Sequence, residues 1–120
     1  MRDINPLTAI DFYKADHRRQ YPEGTEFVYS NFTPRSDNHS NTGLPYIIFF
    51  GLQYFMKSFL IDCWNENFFK RPKEEVVAKY KRRMDNSLGP DAITVEHIAE
   101  LHDLGYLPIK IKALLSLIHI

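Results

Sequence analysis

The stretch from Pro72 to Gly89-Pro90 constrains the fold most. Proline suits the first position of a helix, and a Gly-Pro pair ends one. Between them Val76, Val77, Tyr80, Met84 and Leu88 recur on one face. Lys73, Glu74, Glu75, Lys79, Lys81, Arg82, Arg83 and Asp85 lie mostly elsewhere. Such a helix needs other elements to cover its apolar face. Glu75 and Lys79 have the favourable order for an i,i+4 ion pair. The run Lys79, Lys81, Arg82, Arg83 reads as a solvated helix face.

The material to cover it flanks it on both sides. Tyr46 to about Cys63 reads as a helix, with Leu52, Phe55, Met56, Phe59 and Leu60 at spacings of three and four. Gly51 would let another element approach closely. A further helix starts at Thr94, a good N-cap, with Ile93 and Ile98 placed for a hydrophobic staple. It continues through Leu101 and Leu104 to Gly105. Asp11 is positioned to cap a short helix reaching about Tyr21, and Pro22-Glu23-Gly24-Thr25 is a turn. Glu26 to Thr33, rich in Phe, Val, Tyr and Thr, reads as a strand, and so does the alternating run Leu107–Ala113. Pro34 to Pro45 is almost free of apolar residues and reads as a mobile loop. The order helix, strand, three helices, strand predicts an α+β fold, with helices around a small mixed sheet.

Composition narrows the class. With 44% hydrophobic and 14% aromatic residues, the 120-residue chain can bury a real core. Its 15 basic and 15 acidic residues balance, which argues against a nucleic-acid module. The one cysteine, Cys63, excludes an internal disulfide and reads as a buried thiol in a reducing, cytoplasmic protein. No run is long and apolar enough to span a membrane. Met1–Ile10 lacks the apolar core of a signal peptide.

Chemistry is sparse. A glycine-rich phosphate loop, Cys-x-x-Cys, His-Glu-x-x-His and Gly-x-Ser-x-Gly are all missing. His97 and His102 are five apart, awkward for a shared metal, and read as solvent-facing. The densest polar group is Asp11, Tyr13, Lys14 and His17. It reads first as a capped amphipathic helix, yet an aromatic ring there can stack on a flat heterocycle. A nearby carboxylate can accept a bond from an exocyclic amide.

Four ordered blocks then carry a resemblance. Asp11-Phe12-Tyr13-Lys14-Ala15-Asp16-His17, followed by Gln20-Tyr21-Pro22, is similar to the opening of nicotinamide phosphoribosyltransferases. Val28-Tyr29-Ser30-Asn31-Phe32-Thr33-Pro34-Arg35 resembles their first core strand and the arginine past it. Phe50-Gly51-Leu52-Gln53-Tyr54 resembles their Tyr/Phe-Gly-Leu-Gln-Tyr helix. Gly105-Tyr106-Leu107-Pro108-Ile109-Lys110 resembles the strand that follows. Residues 1–113 then correspond to an incomplete N-terminal domain of a larger α/β-barrel enzyme whose barrel lies outside this sequence.

The resemblance implies an enzyme that joins nicotinamide to phosphoribosyl pyrophosphate with Mg²⁺. The products are nicotinamide mononucleotide, for NAD salvage, and pyrophosphate. It implies a homodimeric site to which this segment contributes from the neighbouring subunit. Tyr13 falls on the tyrosine that stacks on the base, Asp11 on the acid beside it, and Arg35 on an arginine near the phosphate. No Mg²⁺ ligand and no catalytic residue falls in this segment, so the chain alone is expected to be inactive. A nicotinate phosphoribosyltransferase segment and a non-catalytic interaction module are the alternatives. Two departures stand out. Ile10 replaces a threonine common in relatives. Residues 114–120, Leu-Leu-Ser-Leu-Ile-His-Ile, form an atypical tail that reads as a truncation or frameshift.

Overall fold

The computed structural model describes residues 4–33, 46–48, 50–112 and 117–119. Its centre is helix α3, Lys73–Leu88, running between Pro72 and Gly89 as the punctuation predicts. Elements are introduced around it in chain order. A 3₁₀ turn, Pro6–Ala9, leads to α1, Phe12–Asp16, and to a second 3₁₀ turn, His17–Gln20. Strand β1 is Tyr46–Ile48. Helix α2, Leu52–Phe55, widens into π-helical turns over Met56–Cys63 and Asn65–Phe69. Helix α4, Glu96–Leu104, follows α3, and strand β2 is Leu117–His119.

The core lies where α3 meets α4, the Pro6–Ala9 turn and the Asn65–Phe69 segment. Leu7, Trp64, Phe68, Val76, Tyr80, Met84 and Ile98 are buried there, with Ile93, Leu101 and Val77 packed against them. Val76, Tyr80 and Met84 follow the helical period read from the sequence; Leu88 remains exposed. Phe68 is fully enclosed. Its ring lies 5.2 Å from Trp64, 5.0 Å from Phe69 and 5.3 Å from His102, each edge-on. Edge-to-face rings gain from their quadrupoles as well as from burial.

Two polar contacts fix the outer layers. The Asn5 amide nitrogen donates to the Val76 carbonyl at 3.3 Å, and its carbonyl oxygen accepts from Leu7 N–H at 3.1 Å. The lead-in is thereby tied to the middle of α3. His102 Nε2 lies 2.9 Å from the Arg71 carbonyl, linking α4 to the start of α3.

The fold is helical, and the expected α+β arrangement around a mixed sheet is overturned. Residues 26–33 and 107–112 form no strand. A strand needs a second strand to pair its backbone groups, and neither run joins the ladder found among the described residues. The 107–112 run is bent at its start, where Ile109 N–H donates back to Leu107 O at 2.8 Å. The one ladder among the described residues is antiparallel and three pairs long, Tyr46↔His119, Ile47↔Ile118 and Ile48↔Leu117. It joins the predicted helix start to the tail; the predicted strands take no part.

Local expectations shift as well. The helix expected from Tyr46 begins only at Leu52, because Gly51 turns the chain with φ +80°, a conformation that glycine adopts without strain. Space beside Gly51 is open, so it serves the turn and not a close approach. The same helix runs past Cys63 to Phe69, and that extension supplies Trp64 and Phe68. Asp11 and Val95 are the N-cap residues of α1 and α4, and neither makes a side-chain cap bond. Thr94, the expected cap, instead helps hold the Glu96 carboxyl below the usual range, after Glu96's own backbone N–H. Glu75 and Lys79 form no ion pair among those described. Cys63 is buried, as expected. The 34–45 loop lies outside the described residues, as do residues 114–116 and 120 of the tail.

His97 contradicts the solvent-facing reading. It is buried, and neither ring nitrogen has a hydrogen-bond partner among the described residues. Burial lowers its pKa from 6.5; the charge of Asp16 opposes and that of Arg19 adds. A base held neutral in the fold contributes stability above its unfolded pKa, and that contribution is lost as pH falls. The urea midpoint should therefore drop between pH 7.5 and 5.5, and His97→Leu should flatten that drop. An unchanged pH slope in the variant would show that His97 does not titrate against folding. For the core, Phe68→Ala should lower unfolding free energy by about 3–5 kcal/mol in denaturant melts. Glu66→Ala, which removes an exposed Lys70 partner, should cost under about 1 kcal/mol.

Candidate functional site

The lead-in decides how α1 sits. Pro6 and Leu7 are buried beneath α3's neighbours, and Ile10 and Asp11 are extended, carrying the chain outward before the helix begins. Ala15 then packs against the core. Asp16 is half-buried and pairs with Arg19 at 3.1 Å. Its charge reaches two neighbours. It raises the Tyr80 phenol, already raised by burial, and it favours the charged form of His97. The inner side of α1 is thus set by Ala15 and Asp16, and Asp11, Tyr13 and Lys14 remain exposed.

Tyr13 is 45% exposed. Phe12 meets its ring edge-on at 5.9 Å and 90°, and His17 lies tilted at 6.1 Å. Lys14 Nζ sits 5.1 Å from the ring centroid, a cation resting on the electron-rich face. The Tyr13 hydroxyl is held above the ordinary phenol value of 10.0, first by hydrogen bonding to the Asp11 carboxylate and then by that carboxylate's charge. At neutral pH the phenol therefore keeps its proton. This arrangement offers a flat aromatic surface that accepts a cation, next to an acceptor for an amide N–H.

Asp11 and Tyr13 are brought together, close enough for the carboxylate to raise the phenol, and Asp11 makes no side-chain cap bond. Arg35 lies outside the described residues. No described group of three or more His, Cys, Asp or Glu gathers to hold a metal ion, so no residue here is assigned to Mg²⁺. No described helix is long and apolar enough to cross a membrane.

Residues 5–111 match the family model described as the N-terminal domain of nicotinamide phosphoribosyltransferase. The chain belongs to the nicotinamide phosphoribosyltransferase family. It is 67% identical over 114 residues to the nicotinamide phosphoribosyltransferase of Acinetobacter baylyi, a match covering 92% of this chain and 23% of that protein. The chain thus spans less than a quarter of that curated relative's length. No solved structure matches it significantly. Within this family domain, Asp11 and Tyr13 lie together and exposed at the start of α1.

Sequence reading missed two features near them. Burial of His97 had a local signal that its polarity masked: it stands four residues before Leu101 and seven before Leu104, on the helical period of the apolar face. The pairing pattern within the basic run of α3 was invisible, since it depends on which carboxylates fold back onto it.

Replacing Asp11 with Asn removes both causes that raise the Tyr13 phenol. Its pKa should fall toward 10.0. Carbon NMR of labelled tyrosine, with the Tyr13 signal assigned through Tyr13→Phe, would read the midpoint. An unchanged midpoint would mean that Asp11 does not contact the ring hydroxyl.

Proposed function

We propose that this chain is the N-terminal part of an enzyme that condenses nicotinamide with phosphoribosyl pyrophosphate, giving nicotinamide mononucleotide and pyrophosphate. The observation that supports it most is the family match over residues 5–111. The exposed aromatic and carboxylate at its start supply matching chemistry.

In this reading Tyr13 covers the pyridine ring and Asp11 accepts a bond from the carboxamide. The ring nitrogen attacks C1 of the ribose, the C1–oxygen bond breaks, and pyrophosphate leaves with the electron pair. The base becomes a cation as the new bond forms. An electron-rich ring face that already accepts the Lys14 ammonium favours that developing charge. The Asp11 carboxylate favours it further and disfavours nicotinate, whose own carboxylate it would repel. Arg35 contacts the ribose phosphate through its guanidinium fork. Mg²⁺ would neutralise the pyrophosphate when bound, through groups beyond this segment. Tyr13 and Asp11 serve the site of a second copy in a cytoplasmic homodimer, so the isolated chain performs no turnover.

In a full-length enzyme that begins with this segment, Tyr13→Ala should raise KM for nicotinamide or lower kcat/KM by about tenfold, the scale of a lost aromatic stack. KM for phosphoribosyl pyrophosphate should stay within about twofold, and Tyr13→Phe should keep most of the affinity. Wild-type kinetics in the alanine variant would remove Tyr13 from the site. Nicotinamide mononucleotide formed by the purified 120-residue chain would refute the shared-site reading.

A further inference from the structure

The basic run of α3 is not one solvated face. Lys81 turns away from the others and is neutralised, bonding Asp85 at 2.7 Å and Asp91 at 2.8 Å. The second Asp85 oxygen accepts from Asp91 N–H at 3.2 Å, so both its oxygens are engaged. Lys79, Arg82 and Arg83 form no ion pair among those described. Spacings of three and four bring them to a common side of the helix, joined by Asn86.

That side is concave. A cleft of about 380 Å³ lies between α3 and the Pro6–Ala9 turn, lined by Thr8, Lys79, Arg82, Arg83, Asn86 and Ser87. No carboxylate lines it among the described residues. Three cations within one and a half helical turns repel one another, and an anion among them relieves that repulsion. Two guanidinium forks and an ammonium match adjacent phosphoryl groups, and the Asn86 amide adds a neutral donor.

We propose that this cleft binds a linear oligophosphate, inorganic or carried on a nucleoside, through Lys79, Arg82 and Arg83. Neither the family match nor the reading of Tyr13 and Asp11 assigns any role to these residues. A single phosphate-sized dianion would engage too few of them at once.

The test is a titration of the ¹⁵N-labelled chain with inorganic tripolyphosphate in about 0.15 M salt, where nonspecific attraction is screened. The amides of Thr8, Lys79, Arg82, Arg83 and Asn86 should shift and saturate. Uridine triphosphate should shift the same amides, and sulfate at matched ionic strength should not. The double variant Arg82→Ser, Arg83→Ser should weaken binding at least about tenfold. The double variant Lys70→Ser, Lys81→Ser removes as much charge from paired lysines and should leave affinity within about twofold. Asn86→Asp, which keeps every cation but sets a carboxylate in the cleft, should also weaken it. Equal losses in the two double variants, equal shifts with sulfate, or saturation centred on other residues would overturn the proposal. Tyr13→Ala should leave the titration unchanged, so this test fails or succeeds separately from the proposed reaction.

Discussion

A single carboxamide holds the α1 end of the molecule in place. Asn5 is buried, bonding forward to Leu7 N–H and across to the Val76 carbonyl in the middle of α3. A buried amide with both ends satisfied stabilises modestly, but leaving one end unpaired costs a full desolvation. The contact therefore fixes register more than it adds energy. It sets the Pro6–Ala9 turn, which starts α1, and hence determines which side of α1 faces the core. Ala15 goes inward, and Asp11 and Tyr13 go outward. The same turn provides the Thr8 wall of the basic cleft.

The hydrophobic side of the structure has a similar economy. Phe68, Val76 and Tyr80 are almost fully enclosed and come from two segments joined by the short Lys70–Pro72 link. Leu7 and Ile98 close the cluster from the two ends of the domain. Much of the remaining aromatic surface is open. Phe27, Tyr29 and Phe32 are each at least 80% exposed. The ordered core is thus a helical cluster, and the runs with strand-like composition lie outside it.

Electrostatics divides the surface into paired and unpaired regions. Around α1, Asp16 with Arg19 and Asp11 with Tyr13 place opposite or complementary groups together. On α3, Asp85 and Asp91 neutralise Lys81 and leave the neighbouring three cations to face the cleft. A chain of zero formal net charge can therefore carry a sharply local positive region.

Helical period and punctuation in the sequence determined α3 and its buried face, because Pro72, Gly89 and the 76–80–84 spacing act locally. The four ordered blocks, from Asp11–His17 to the run starting at Gly105, were enough to indicate the family. Other features came only with tertiary structure. Strand-like residues 26–33 and 107–112 form no strand, because a ladder depends on a neighbouring strand that the local pattern does not specify. The helix extension to Phe69, the burial of His97 and the sorting of Lys81 from Arg82 and Arg83 depend on groups distant in sequence. Periodicity describes one face of one element; which group comes to lie against that face is settled only when the chain packs.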